Sequence, residues 1–327
     1  MAENSKIHWT DHTWNPWWGC VKVSPACANC YAETLAKRMG FALWGEGADR
    51  KEWTEKNWRL PFKWNEAARR AGRKATVFCA SMADIFEDHP KANALRGRAM
   101  ETMEACDWLT WLLLTKRPEN ITSMVPQAWR HAGWPNIWYG VTGETRGWAS
   151  ERVSRLLLVP AAGRFLSIEP LLDNQMEVFR MLTPSFHSDA LGTTFYPLRG
   201  LAAVPDCDWS IAKLDWVIIG GESGGNARPF SIPAAWRLIC QCDAAGVAVF
   251  LKQLGARPRL GPDETLEHWP AHVKVKTQKG GGDLNNELIL RDGAGGDWDE
   301  WRPTLRIRQF PANLRTAPAR PPSLFED

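Results

Sequence analysis

Six short apolar runs punctuate the 327-residue chain: ATVFCAS (75–81), WLTWLLLT (108–115), IWYGVTG (137–143), RFLSIEP (164–170), DWVIIGG (215–221) and VAVFLKQ (247–253). Each is brief, rich in β-branched or aromatic residues and bounded by turn formers, the pattern of strands buried on both faces. A weaker strand is expected near IHWTDHTWN (7–15). Between the runs lie segments of helical character, among them CANCYAETLAKRMG, HPKANALRGRAMETMEA, PENITSMV, ETRGWASERVSRLLLV and SIPAAWRLICQCDAAG. Strand and helix alternate, so the expected fold class is α/β, a partial or complete parallel (β/α) barrel. The barrel core is assigned to residues 1–255, with a long insertion at 173–213 before the penultimate strand. Residues 256–327 form an irregular C-terminal extension with a Gly-rich hairpin and a basic tail whose last residues read as disordered.

Polar residues stand where each run ends: Ser81 and Asp84; Thr115, Lys116 and Arg117; Thr142 and Glu144; Ser167 and Glu169; Glu222 and Ser223; Lys252 and Gln253. In a parallel barrel the carboxyl ends of the strands share one side, where an active site is built. These side chains are therefore expected to converge on one mouth. The competing reading is a ring of ion pairs that merely stiffens it.

Composition sets the boundaries of function. A net charge of +3 is too small to mark a nucleic-acid binder by itself. No apolar run approaches a membrane span, and the start MAENSKIHWTDHT has no apolar signal core, so a cytoplasmic protein without a membrane partner is expected. Twenty Trp against three Tyr is unusual; most should be core, and a minority are candidates for stacking on a base.

Three of the eight cysteines stand close together, as Cys20, Cys27 and Cys30 in WNPWWGCVKVSPACANCYAE, with spacing C-x6-C-x2-C. A structural zinc site closes with four ligands, and His8 or His12 can complete a Cys3His set, so zinc stays open. A disulfide framework conflicts with an odd count in a reducing compartment, and a nucleophilic cysteine has no use for two neighbours. A 4Fe-4S cluster takes cysteine thiolates, and three of them leave one iron free for an outside ligand.

The loop resembles that of the radical S-adenosylmethionine enzymes, although its first spacing is longer than the usual one. The motifs WNPWWGC…SPACANCYAE, LLTKRP, GVTGET, LSIEPLL, IIGGESG, FLKQLG and RQFP, in that order, resemble a three-cysteine phage and prophage branch. The resemblance implies a barrel of the radical SAM type, with Cys20, Cys27 and Cys30 on the cluster and S-adenosylmethionine on the open iron. It places Tyr31 near the adenine, with Ser81 and Asp84 of CASMAD where the superfamily binds the amino group. Thr142 and Glu144 fall where a ribose is met, and Ser167 and Glu169 extend that cofactor wall. Gly220 and Gly221 would let the backbone approach a ligand. Lys116, Glu144, Glu222 and Lys252 are the catalytic candidates, the cations matching a carboxylate or phosphate.

The resemblance further implies a phage protein in the bacterial host cytoplasm, reduced by a flavodoxin or ferredoxin. The expected reaction rearranges a nucleobase substituent, such as that of a hypermodified thymine in DNA or a nucleotide. The basic residues Arg302, Arg306, Arg308, Arg315 and Arg320 are read as supporting a nucleic-acid substrate. Two alternatives remain: photoproduct reversal in DNA with Cys79 as internal hydrogen donor, and a zinc-stabilised nucleic-acid-binding module without enzymatic activity.

Overall fold

The computed structural model describes residues 2–3, 5–173, 182, 186–188, 193–204, 207–261, 264–277 and 286–316. Seven strands run parallel in one curled sheet: β1 (His12–Thr13), β2 (Ala75–Cys79), β3 (Leu109–Thr115), β4 (Ile137–Thr142), β5 (Gly163–Ile168), β6 (Trp216–Gly220) and β7 (Ala248–Gln253). Their order in the sheet is their order in the chain, and Ala2–Glu3 adds an antiparallel edge beside β1. The result is a partial (β/α) barrel, and all six apolar runs are strands in it.

Among the described residues five helices of eight or more residues accompany the sheet: α1 (Tyr31–Arg38), α2 (Leu60–Ala71), α3 (Pro90–Ala105), α4 (Arg146–Leu157) and α5 (Ile232–Ala244). Thr145 and Ser231 cap α4 and α5 by accepting from Trp148 N and Ala234 N, which satisfies donors the first turn leaves free. Helix α2 was not anticipated, although Pro61 opens it and Gly72, in the left-handed region at φ 64°, closes it. PENITSMV is shorter than expected, a 3-10 turn at Pro118–Asn120 followed by one helical turn at Ile121–Met124.

Alternation along the strands divides the core in two. Val77, Trp111, Tyr139, Leu166, Val217 and Val249 face outward and share one cluster with Ala99 and Met103 of α3, Val153 of α4 and Leu238 of α5. Phe78, Leu112, Trp138, Phe165, Trp216, Ile218 and Phe250 face inward and fill the barrel with Trp9 and Leu314. Two glycines make this floor possible. A Cβ at Gly140 would lie 2.2 Å from the Phe165 ring, and one at Gly163 would lie 2.3 Å from that of Trp138. Gly140→Ala should therefore destabilise the fold by about 1–3 kcal/mol through overpacking, measured by urea unfolding.

Tryptophan is spent mostly inside: Trp9, Trp14, Trp17, Trp18, Trp58 and Trp64 are all buried, with Trp14 edge-on to Trp58 and Trp111. These six are thus core packing, whereas Trp44 and Trp53 are half-buried.

The chain between β5 and β6 contains a four-stranded antiparallel sheet, Phe186–Ser188, Thr193–Tyr196, Leu201–Val204 and Cys207–Ser210. In the C-terminal extension, Lys274–Thr277 and Asn286–Ile289 pair antiparallel as the expected hairpin. The glycines between them lie outside the described residues, as does the end of the tail with Arg320.

The basic tail is a correction. Its arginines are absorbed into the fold: Arg302 pairs with Glu264 and Arg315 with Asp11, each at 3.0 Å. Arg306 donates to Trp301 O, and Arg308 lies over the Trp298 ring and against His8. The segment runs back along β7, where Leu251 N donates to Ile307 O and Gln309 N to Val249 O, and ends with Leu314 in the barrel floor. Through residue 316 these cations serve the protein's own aromatic rings, carboxylates and carbonyls.

Candidate active site

The inward parity that builds the floor carries on to the strand ends and points Lys116, Thr142, Ser167, Glu169 and Lys252 into the mouth. There a cavity of about 550 Å³ lies above Trp9, Phe78 and Leu114, and Cys20, Cys27, Cys30 and Tyr31 form part of its wall. That volume is typical of a small-molecule site. The three cysteines are partly exposed free thiols, whereas Cys79, Cys106 and Cys242 are buried elsewhere.

Several of the polar strand ends hold the cysteine loop. After β2, Glu87 accepts from Val21 N at 2.7 Å while Arg50 clamps it in a buried ion pair. After β3, Arg117 donates to Val21 O at 2.9 Å and reaches Cys20 Sγ at 3.8 Å, itself fixed by Asp84 at 2.9 Å. After β4, Glu144 accepts from Ala26 N at 3.1 Å and pairs with Arg152 at 2.8 Å. After β6, Glu222 accepts from Asn29 Nδ2 at 3.0 Å and is gripped by Arg228. Tyr31 OH closes the set by donating to Ser81 O at 2.7 Å. The loop is thereby tied to four strand ends, and Cys30 is the N-cap residue of α1.

This geometry changes the expected roles. Glu144 is wholly buried behind the loop and does not line the cavity, because Arg152 and Ala26 take up its carboxylate. Asp84 reaches the wall but already accepts from Thr115 Oγ1, Phe86 N, Lys116 N and Arg117, so its function there is to fix Arg117. The room left by the two glycines is taken by the protein: a Cβ at Gly221 would lie 2.6 Å from Leu254 O, and one at Gly220 would lie 3.1 Å from Glu169 Oε1. Glu222 lines the cavity as a loop anchor. Burial works to raise its pKa, but the hydrogen bonds from Arg228 and Asn29 outweigh this and hold the carboxyl below its usual range.

The remaining wall is freer. Ser167 Oγ donates to Glu169 Oε2 at 3.2 Å, and Glu169 pairs with Lys252 at 2.9 Å. Lys116 lines the cavity, and among the described residues its ammonium forms no ion pair. Ser81 Oγ is held by Asn15 at 3.0 Å. Sequence reasoning missed Asn15, Asn29, Arg50, Arg152 and Arg228; Asn15, Asn29 and Arg50 meet partners distant in the chain, whereas Arg152 and Arg228 pair with Glu144 and Glu222 eight and six residues away.

The donor set bears on which metal group fits. Neither His8 nor His12 lines the cavity: His8 contacts Arg308, and His12 stacks on Trp64 with centroids 4.4 Å apart. Among the described residues no three His, Cys, Asp or Glu side chains converge on one ion. Zinc gathers its ligands on a single centre, whereas an iron-sulfur cubane takes each thiolate on a different iron. Three separate thiols on one wall of a cavity fit the cubane. Burial first, then the Asp84 and Glu87 carboxylates, push the Cys20 thiol up to about 12 against the pull of Arg117. Metal ligation deprotonates such a thiol outright.

Cys79 is buried in the outer core and does not face the cavity, and burial pushes its pKa up. It therefore lies away from the place an internal hydrogen donor needs. No helix among the described residues is long and apolar enough to cross a membrane.

No curated protein matches the sequence. Among solved structures, a cysteine-to-serine mutant of spore photoproduct lyase aligns over 88% of this chain and 71% of its own, at 14% identity and a TM-score of 0.42. Spore photoproduct lyase complexed with dinucleoside spore photoproduct aligns over the same shares at 12% identity and a TM-score of 0.40. A family model described as "Protein of unknown function (DUF5131)" matches residues 4–290, a span that includes every barrel strand and the three-cysteine loop, and the chain belongs to that family.

Proposed function

We propose that the protein is a radical S-adenosylmethionine enzyme that modifies or rearranges a nucleobase substituent. The observation that carries this reading is the meeting of three free thiols, Tyr31 and the inward-facing strand ends on one cavity above an aromatic floor. Cys20, Cys27 and Cys30 would hold a 4Fe-4S cluster. When bound, that cluster and S-adenosylmethionine supply the radical that begins hydrogen abstraction.

The chain's own residues orient ligands and exclude water. Tyr31 offers a ring beside the cysteines, and Thr142 and Ser167 offer hydroxyls to a ribose or base. Lys116 and Lys6 are cations on the cavity wall available for a carboxylate or phosphate, while Lys252 and Glu169 compensate each other. A nucleobase in duplex DNA would have to be turned out to reach the mouth. The absorbed C-terminal arginines remove one support for polymeric DNA, which leaves a free nucleotide as the simpler substrate form. Photoproduct reversal is the weaker reading, since Cys79 lies in the core.

The deciding experiment is anaerobic iron and sulfide analysis with electron paramagnetic resonance of the reduced protein. A 4Fe-4S signal that S-adenosylmethionine perturbs supports the proposal; zinc without iron removes it. Lys116→Met should weaken S-adenosylmethionine or nucleotide binding by about 10- to 100-fold, the worth of one charge-assisted hydrogen bond, with little change in stability. Calorimetric titration beside thermal unfolding checks both halves of that expectation.

A further inference from the structure

Four aromatic side chains line the cavity: Trp9, Tyr31, Trp44 and Phe78. Trp9 and Phe78 are buried in the floor and pack on each other with ring centroids 4.6 Å apart. Tyr31 is tied down by its hydroxyl, which donates to Ser81 O. Trp44 differs. It is half-buried against the small cluster of Trp18, Ala32, Ala36 and Leu43, and among the described residues its indole has no aromatic, cationic or hydrogen-bonding partner.

The backbone that carries this indole is firmly held. Cys20 N donates to Leu43 O at 3.3 Å and Gly45 N donates to Cys20 O at 3.1 Å, so Trp44 is the register partner of Cys20 in a parallel bridge. Backbones paired in this way lie about 4.8 Å apart. Both side chains border the cavity. Arg50, fully buried, donates to Leu43 O at 3.4 Å and to Ala48 O at 2.6 Å, and its partner Glu87 is the carboxylate that accepts from Val21 N. Gly19 leaves the space this needs, since a Cβ there would lie 2.6 Å from Leu43 O and 2.8 Å from Arg50 Cδ. One buried ion pair thus positions the cysteine loop and the Trp44 backbone together.

We propose that Trp44 is the stacking platform for the substrate's nucleobase. The inference rests on the reading of the cavity as a nucleobase-modifying site. That reading brings two planar rings to the cavity, the adenine of S-adenosylmethionine and the substrate base, and gives Tyr31, after Cys30, to the adenine. Trp44, paired with Cys20, is the platform that remains. An indole held in place before the ligand arrives loses little freedom on binding, and it accepts any base because every base has a π-face. Trp44 therefore selects for a flat aromatic ring and leaves discrimination among bases to the polar wall.

The test measures binding of thymidine 5′-monophosphate to wild type, Trp44→Leu and Trp44→Phe by calorimetry, on iron-free and reconstituted protein, with circular dichroism to verify the folds. Trp44→Leu is expected to bind the nucleotide about 5- to 150-fold more weakly, the worth of one stacked base, and Trp44→Phe to stay within about three-fold of wild type. Binding of S-adenosylmethionine to the reconstituted forms should not change. Bound nucleotide should also quench part of the wild-type tryptophan emission, and saturated Trp44→Phe should lack that quenching, which a merely structural residue would not cause. Equal nucleotide affinity in wild type and Trp44→Leu overturns the proposal, as does a wild type that binds no nucleotide. A loss confined to S-adenosylmethionine also overturns it, because the indole would then belong to the adenine. Failure to reconstitute iron would reject the cluster reading alone, since the nucleotide arm needs no iron.

Discussion

Cys27→Ala is expected to lower iron retention after anaerobic reconstitution by at least about ten-fold, from about four irons and four sulfides per chain in the wild type. Cys27 ends a 3-10 turn, is partly exposed, and has Ser24 Oγ at 4.0 Å as its side-chain neighbour. Its removal opens no core cavity, so unfolding stability should move by no more than about 0.5 kcal/mol. That combination separates a ligand from a structural residue. Iron retention unchanged in Cys27→Ala would reject this cysteine as a ligand, and a protein purified with one zinc would reject the cluster.

Glu144→Ala should have the opposite profile. Glu144 and Arg152 are an ion pair with side chains 0% and 2% exposed. Removing the acid leaves a guanidinium buried without its counter-charge, which costs about 3–5 kcal/mol. The change also releases Ala26 N in the cysteine loop. Urea denaturation should show the loss in both iron-free and reconstituted protein, and Arg152→Met added to Glu144→Ala should restore part of it. A Glu144→Ala protein of wild-type stability with impaired nucleotide binding would instead return Glu144 to the ligand-facing role expected from sequence.

These two residues show where sequence reading succeeds and where it stops. The strands were legible because sheet residues buried on both faces make continuous apolar runs, and their short length and turn boundaries separate them from helices. The three cysteines were legible as a group because their spacing is local. Whether a polar strand end faces the cavity or a neighbouring loop was not, because the answer depends on loops that leave the strand's alternation. Lys116 and Thr142 keep the inward parity, while Arg117 and Glu144 turn to Val21 and Ala26. Both proposed outcomes for the mouth are realised: ion pairs stiffen the side that carries the cysteines, and Lys116 remains available. The basic tail misled for a related reason, since charge density along a sequence does not reveal that Asp11 or Glu264 waits for it.

The return of Leu314 to the barrel floor has a consequence for biosynthesis. Trp9, Phe78 and Trp216 are made before β7, yet the residue that packs with them from the C-terminal segment is translated only after β7 is complete. Thr110 Oγ1 likewise waits for Leu314 O, 204 residues downstream. During elongation the ribosome therefore carries a nearly complete barrel with an unsealed aromatic underside, the kind of surface that recruits chaperones or self-associates. Synthesis of the segment that carries Leu314, rather than emergence of the last strand, becomes the step that lets the barrel floor close.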